Sequence, residues 1–168
     1  MKKQLLSLAA IFIIAIFSNN VMAQNTATDA AAAKATIIAP ITISNTADLN
    51  FGDVIDGTGY VTLSTAGLRT SDYQAFSGTQ VGTVSVASFD ITGQATYTYA
   101  ITLPASATLT ETGTDTMTVD TFVSDPATSS ALDGSGNDVV LVGATLHVIS
   151  GQTVGLYTGT FNVTVAYN

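Results

Sequence analysis

The C-terminal stretch Gly155–Asn168, GLYTGTFNVTVAYN, decides the fold of this chain. Apolar and aromatic side chains occupy most of its odd positions, while threonine and asparagine occupy most of its even ones. A two-residue period is typical of a β-strand with one face buried and one face in water. A lone strand can neither shelter that apolar row nor satisfy its own backbone N–H and C=O groups. The rest of the chain must therefore supply neighbouring strands and a second layer.

Similar runs recur upstream at intervals of roughly ten residues, with turn residues between them. The predicted strands are Ile37–Ser44, Leu49–Val54, Tyr60–Ser64, Thr83–Asp90, Tyr97–Leu103, Met117–Val123 and Val139–Ile149. The last of these is apolar on both faces, which indicates a central strand. Two polar stretches, Thr65–Gln80 and Ala127–Asp138, are predicted to be long surface loops. The pattern predicts an all-β chain, with one antiparallel immunoglobulin-like β-sandwich domain over residues 35–168 and a jelly roll or small barrel as the alternative.

Residues 1–23 have the features of a secretory signal peptide. Two lysines precede the apolar segment Leu5–Phe17, and Ala23 ends a small-residue cleavage motif. The apolar segment is shorter than the roughly 20 residues that a membrane-spanning helix requires. We therefore expect a protein that is secreted to the periplasm or cell surface of a bacterium. Its mature chain would begin at Gln24 with a flexible lead-in over residues 24–34.

The composition narrows the classes of partner. The chain has 12 acidic and 4 basic residues, a formal net charge of −8, and loss of the two leader lysines would make it −10. Nucleic acids and anionic membrane surfaces are disfavoured as partners because both require clustered lysine and arginine. The chain contains no cysteine, so its stability must come from apolar burial and backbone hydrogen bonds rather than from disulfides.

The residue types that carry catalysis are scarce. His147 is the only histidine, and it lies between Leu146 and Val148 on the opposite face of the predicted strand. Without a G-x-S-x-G turn, a Ser-His-Asp triad is disfavoured, and one histidine without cysteine disfavours zinc. The sequence predicts a solvent-facing histidine, no catalytic, cofactor or metal residues, and a protein that is not an enzyme; a hydrolase is the least favoured hypothesis.

A calcium loop is suggested by one segment. Asp133, Ser135 and Asn137 reproduce the one-three-five spacing of oxygen ligands. The sixth position is Asp138 instead of glycine, and the twelfth is Ala144 instead of a bidentate glutamate. We expect an acidic, glycine-rich hairpin loop, and calcium binding stays open as the alternative.

The terminal stretch also carries a family likeness. Gly155 is fourteenth from the C-terminus, Tyr167 is penultimate, and Phe161, Val163 and Val165 alternate between them. This spacing resembles the C-terminal motif of chaperone–usher pilins, whose last strand pairs with a strand donated by a partner. The resemblance implies a partner-strand pairing role for these five residues.

Other segments extend the likeness. Residues 35–40 and 49–52 resemble the opening of spore-coat-U-type pilin domains. Nearly the whole mature chain resembles more closely a secreted bacterial family described as domain of unknown function 4402, which implies no activity. The segments that carry this closer resemblance are Ala87–Phe89, Tyr97–Pro104, Met117–Val119 and Gly155–Asn168.

Together these features predict a secreted or cell-surface structural protein. It would be a fimbria-like subunit or coat component that assembles by strand addition with like subunits or a periplasmic chaperone. The lead-in is rich in alanine and would bury little apolar area, so either the domain is self-complete or Ala35–Ile43 is the donated strand. The alternative is an extracellular binding module for carbohydrate, or a calcium-dependent adhesin, that uses the two long loops or a flat threonine-rich face.

Overall fold

The computed structural model describes residues 26–73 and 82–168. The predicted signal peptide, the mature start at Gln24 and the end of the first predicted loop lie outside these ranges. The described residues contain ten β-strands and no helix, and every strand pair is antiparallel. No helix within those two ranges is long and apolar enough to cross a membrane. The predicted all-β class is confirmed.

The strands are numbered here in chain order. They are β1 Thr42–Ala47, β2 Gly59–Leu63, β3 Arg69–Ser71, β4 Ala87–Thr92, β5 Thr98–Thr102, β6 Ser106–Thr110, β7 Thr116–Asp125, β8 Ser129–Ala131, β9 Asn137–Val148 and β10 Thr164–Tyr167.

The larger sheet is built around β9, which confirms the predicted central strand. One edge of β9 pairs with β4 along its first half and with β2 along its second half, while the other edge pairs with β7. β1, β3 and β6 extend the sheet beyond β4, β2 and β7. Gly143 lies where β9 changes partner, and a Cβ there would collide with the carbonyl oxygen of Leu63. The close approach of the two chains therefore requires glycine at this position.

The smaller sheet has the strand order β10-β5-β8 and covers only part of the larger one. The side chains that pack between the two sheets are Phe89, Ile91, Val140 and Val142 from the larger sheet and Tyr99 and Ile101, with the nearby Leu132, from the smaller. This packing of two apolar faces makes the domain an antiparallel β-sandwich.

The second half of the larger sheet lies beyond the reach of the smaller sheet. A second cluster of buried residues lies there: Phe51, Val61, Leu63, Val119, Ala144, Leu146 and Val148. Because Val140 and Val142 share a face of β9 with Leu146 and Val148, the two clusters lie on one continuous apolar face. The layer above the second cluster consists of irregular chain instead of strands.

Two predicted strands are largely irregular. Leu49–Val54 makes only an isolated bridge, between Asn50 and Ser85. Of the predicted strand Gly155–Asn168, only β10 is paired, apart from a bridge between Thr158 and Thr110. The alternation of burial was predicted correctly, since residues 161–168 alternate between half-buried and exposed. The prediction that these two segments pair along their whole length was wrong, because neither segment has a neighbouring strand along its free edge.

Three other boundaries differ from the prediction. The first predicted loop contains β3, which pairs with β2, and the second contains β8, which pairs with β5. Both are three-residue edge strands without a clear apolar period, which is why the sequence did not reveal them. The first strand begins at Thr42 and not at Ile37, because Pro40 cannot donate a ladder hydrogen bond.

The N-terminal residues form a separate unit that ends at Thr36. Its described part, residues 26–36, has neither strand nor helix, and every residue in it is exposed. Ile37 begins the domain proper, and 97% of its surface is exposed.

Candidate functional site

An open groove lies where the second layer of the sandwich is missing. Its volume is about 890 Å³. One wall is the irregular segment that includes residues 48–56, and the other is the segment that includes residues 152–161. These two segments are the predicted strands whose ladders are incomplete. The groove therefore lies on a part of the larger sheet that no strand of the smaller sheet covers.

The floor of the groove is apolar. It is formed by side chains from β6, β7 and β9 that point away from the outer face of the larger sheet: Ala107, Leu109, Met117, Val119, Phe122, Leu146 and Val148. At the end nearer the smaller sheet, Phe161 closes the floor, with its ring centroid 4.9 Å from that of Phe122 and 6.3 Å from that of Phe89. An apolar face of this kind favours occupation by another apolar surface over contact with water.

Phe122 reaches the groove through a bulge in β7. The register against β9 shifts between Asp120 and Val123, and Thr121 has a φ of 50°. A bulge inserts one extra residue and reverses the alternation beyond it. Unbroken alternation over the predicted strand Met117–Val123 would place Val123 on the inward side with Met117, and this is wrong: Val123 is 46% exposed and Phe122 packs inward.

Some backbone groups of the walls bond to side chains: the carbonyl oxygens of Asp53 and Ile55 accept hydrogen bonds from Arg69 and Tyr73. No backbone–backbone hydrogen bond joins residues 51–56 or 159–163 to another described residue. Thr158 makes two such bonds, both with Thr110 on the side of β6. Unpaired strand edges are templates for pairing with another extended chain. A peptide strand satisfies them, whereas a lipid or a purely apolar ligand does not.

The five residues predicted to pair with a partner strand divide between the groove and the core. Gly155 and Phe161 line the groove, and Val163, Val165 and Tyr167 are half-buried against the core between the sheets. At Gly155 a Cβ would collide with the side chain of Glu111. Pairing of these residues with a partner strand stays a prediction.

The hydroxyl of Tyr167 connects the C-terminal strand to the start of the domain. It accepts a hydrogen bond from the backbone N–H of Gln94 at 2.6 Å and donates one to the carbonyl oxygen of Ala39 at 3.0 Å. The N–H of Ala39 in turn donates to Oε1 of Gln94 at 3.2 Å. We call this arrangement of Ala39, Gln94 and Tyr167 the Tyr167 clasp. It holds both backbone polar groups of Ala39.

The rim of the groove is acidic. Asp48, Asp53 and Asp56 line it, and no lysine or arginine does so among the described residues. Asp115 lies at the adjoining turn, and its carboxylate accepts hydrogen bonds from the hydroxyl and the N–H of Thr153, which lower the pKa of that carboxyl. Desolvation, followed by the negative charges nearby, raises the pKa of Tyr157. The rim therefore favours an occupant that brings no negative charge.

His147 projects from the outer face of the larger sheet, away from the groove. Its Nε2 lies 2.9 Å from Oδ1 of Asp120, and hydrogen bonding to His147 lowers the pKa of the Asp120 carboxyl. The Tyr60 ring is tilted beside it, with centroids 6.4 Å apart. Sequence reasoning placed His147 correctly on the exposed face but could not find Asp120, because only the register of β7 against β9 brings the two side chains together.

The predicted calcium loop forms a tight turn before β9. Oδ1 of Asp133 accepts hydrogen bonds from the N–H groups of Ser135 and Asn137, both at 2.8 Å. These donors lower the pKa of the Asp133 carboxyl. One carboxylate oxygen of the pattern thus stabilises the turn itself. No group of three or more potential metal ligands occurs within residues 26–73 and 82–168.

Sequence reasoning assigned a pairing role to one wall of the groove, residues 155–161, but did not identify the residues of its floor. Leu109, Met117 and Leu146 come from three strands that are distant in the chain, so only the pairing of β6, β7 and β9 brings them together. The available signal was that two predicted strands, Leu49–Val54 and Gly155–Asn168, each needed a neighbour.

These features define a class: an antiparallel β-sandwich in which, among the described residues, the smaller sheet covers only part of the larger and an apolar groove lies on the uncovered part. The chain belongs to the family described as Domain of unknown function (DUF4402), which matches residues 41–167. No curated protein matches the chain, and no solved structure does so either.

Proposed function

We propose that this protein is a secreted or cell-surface structural subunit that assembles by accepting a β-strand from a partner in the groove. It would serve as a fimbria-like subunit or coat component, and the expected partners are like subunits or a periplasmic chaperone. The role does not require catalysis, and we propose that the protein is not an enzyme. The resemblance of the terminal stretch to chaperone–usher pilins points in the same direction.

The observation that carries the proposal is the apolar floor beside residues 159–163, whose backbone makes no backbone–backbone hydrogen bond to another described residue. A strand laid along residues 159–163 could form hydrogen bonds with that wall and bury alternate side chains on the floor. Strand addition of this kind takes its affinity from main-chain hydrogen bonds and its specificity from pockets for alternate side chains.

The proposal is tested by placing charge in the groove without disturbing the core. Val154 and Leu156 line the groove, yet 96% and 77% of their surfaces are exposed. The double variant V154D/L156D should fold normally but raise the dissociation constant of assembly by at least about tenfold, because an unpaired carboxylate is costly to bury. Sedimentation velocity measures the constant, and electron microscopy of negatively stained material detects filaments.

The matched control is L68D. Leu68 is 65% exposed but lies outside the groove, so this variant adds charge to a similarly exposed position and should assemble like the unmodified protein. Unchanged assembly of V154D/L156D, or a protein that stays monomeric at every concentration and with every candidate partner, would contradict the proposal.

A second candidate function is carbohydrate binding on the outer face of the larger sheet. Tyr60 and His147 present neighbouring rings there, and Thr62 lies on the same face, where its hydroxyl is hydrogen-bonded at 3.0 Å to that of the buried Thr145. Aromatic faces beside hydrogen-bonding groups suit the mixed apolar and polar surface of a sugar. A glycan array probed with the protein and with Y60A/H147A tests this candidate. It would be contradicted if the protein bound no glycan, or if the variant bound the same glycans equally well.

A further inference from the structure

We infer that residues 153–157 of the groove wall form a lid, which Asp115 holds open and which closes on the floor when that hold is lost. In the closed position the side chains of Val154 and Leu156 cover the apolar floor. The inference concerns the empty groove of a single molecule. It therefore goes beyond the proposed function and does not depend on which partner the groove accepts.

The lid carries apolar side chains that are left in water. Val154 is 96% exposed and Leu156 is 77% exposed, although both line the groove. On the floor, the side chains of Leu109 and Met117 are only half-buried. Contact between these two sets of side chains would remove apolar surface from water on both sides, and such burial is favourable. The open position therefore needs an interaction that opposes closure.

Hydrogen bonds hold the lid at its ends and not along its length. No hydrogen bond joins the backbone of residues 154–157 to any other residue in the described part of the chain. Beyond the C-terminal end of the lid, Thr158 exchanges two backbone hydrogen bonds with Thr110, at 2.8 and 3.0 Å. These bonds tie Thr158 to the edge of the larger sheet, so this residue serves as a fixed hinge.

The other end of the lid is held by one carboxylate. The N–H and the hydroxyl of Thr153 both donate to Oδ2 of Asp115, at 2.8 and 2.6 Å. Hydrogen bonds to an ionised acceptor are roughly twice as strong as those between neutral groups. The preceding residue, Gln152, is attached separately, because its Nε2 donates to the carbonyl oxygen of Thr116 at 2.9 Å. Release of Thr153 therefore frees the lid without detaching the chain before it.

Two further contacts define the open position. A Cβ added at Gly155 would lie 2.8 Å from Cγ of Glu111, so the open lid packs its backbone against that side chain. The hydroxyl of Tyr157 donates to the carbonyl oxygen of Thr153 at 2.9 Å and joins the two ends of the lid. The lid is thus a short closed loop that turns as one unit on its hinge.

The lid makes the affinity of the groove depend on a conformational equilibrium. When the lid is closed, an occupant has to displace Val154 and Leu156 from the floor. The apparent dissociation constant then rises in inverse proportion to the fraction of molecules with an open lid. Asp115 keeps that fraction high, so it acts as a positioning residue and not as a contact of the occupant.

Thiol labelling tests the lid, because the sequence contains no cysteine. The variant M117C places a single thiol on the floor of the full-length gene product, and its rate of reaction with a small maleimide measures the accessibility of the floor. Adding D115A should slow this reaction by at least about threefold, since each hydrogen bond lost corresponds to a factor of roughly two to ten in an equilibrium constant. An unchanged or faster rate would overturn the inference.

The direction of the change separates closure from side effects of D115A. Loss of a negative charge near the thiol favours the reactive thiolate, and partial unfolding exposes the thiol; both would speed the labelling. Coverage of the floor by a second copy would slow the labelling only at high protein concentration. The rate is therefore measured over a dilution series, and a slowing that disappears on dilution would also overturn the inference.

The matched control removes the apolar side chains of the lid and keeps its length. In the M117C/V154S/L156S background, D115A should not slow the labelling, because the lid no longer gains from contact with the floor. A slowing as large as in the M117C background would show that another part of the chain shields the floor, which contradicts the inference.

A second variant, T153V, separates the hydrogen bonds of the lid from the charge of Asp115. It removes the hydroxyl of Thr153 but leaves the N–H, so one of the two hydrogen bonds to the carboxylate remains. In the M117C background it should slow the labelling by a smaller factor than D115A does. The control is T158V, since Thr158 is equally exposed and its hydroxyl does not bond to Asp115. Equal rates for T153V and T158V would show that Asp115 does not act through Thr153.

Discussion

At the scale of single residues, Tyr99 is the most consequential polar group in the core. Its side chain is fully buried, and its hydroxyl donates to Oδ2 of Asp138 at 2.8 Å. Burial, with Asp138 second, raises the pKa of Tyr99, so the phenol stays neutral and donates to the carboxylate. We expect Y99F to lower the free energy of unfolding by about 1.5–3 kcal/mol, since a hydrogen bond to a charged group is lost.

Chemical denaturation of Y99F measures this change. The matched control is Y97F, because Tyr97 is 42% exposed and loses no hydrogen bond on substitution. Its free energy of unfolding should stay within about 0.5 kcal/mol of the unmodified protein. A Y99F protein as stable as Y97F would show that Asp138 finds another donor.

Asp133 makes the stability of the turn before β9 depend on pH. The N–H groups of Asn137 and Ser135 lower the pKa of its carboxyl below the unfolded value of about 3.9. The carboxylate therefore stabilises the fold above the unfolded pKa, and this contribution is lost as the pH falls through the lower, folded pKa. We expect D133A to be less stable than the unmodified protein at neutral pH, with the difference shrinking in acid. The denaturation midpoints of D133A and the unmodified protein, measured from neutral to strongly acidic pH, test this expectation. A difference between the two midpoints that stays constant with pH would contradict it.

At the scale of elements, the turn into β9 depends on Gly136. Its φ is 83°, and a Cβ there would collide with the carbonyl oxygen of Gly93. We expect G136A to lower the free energy of unfolding by at least about 1–3 kcal/mol, the cost of the left-handed conformation without glycine. G134A is the control, because a Cβ at Gly134 meets nothing within 4 Å. Thermal denaturation compares the stabilities of G136A and G134A. Equal losses of stability would contradict the special requirement for glycine at position 136.

The sequence predicts elements better than it predicts their partners. The alternating burial of β5 and of the terminal stretch and the burial of β9 on both faces follow from residue type alone, and the structure reproduces them. The pairing of residues 155–163 does not follow, because a strand's period is the same whether its edge is occupied or empty. The bulge at Thr121, which moves Phe122 into the groove, depends on the register against β9 and leaves no local signal that alternation can detect.

At the scale of the whole molecule, the incomplete second layer implies a stability that depends on filling the groove. A peptide of residues 26–41, added to the protein at a dilution that separates the copies, should raise its melting temperature. Ligand binding to the folded state adds about 2.7 kcal/mol at a peptide concentration one hundred times the dissociation constant. Differential scanning fluorimetry measures the shift.

The control peptide carries aspartate in place of Ile37 and Ile38, so it has the same length but loses its two bulky apolar residues. We expect no shift with it. A shift of equal size with both peptides would contradict recognition of the apolar residues of this segment.

The five-pair ladder between β1 and β4 also determines how the domain carries load. A pull on the residues before Ala39 enters the domain there and runs along the axis of β1. Because antiparallel ladder bonds lie across the strand direction, such tension strains all of them together in shear, whereas a perpendicular force would unzip them one by one. Tension applied through this segment is therefore resisted by all five pairs of the β1–β4 ladder at once.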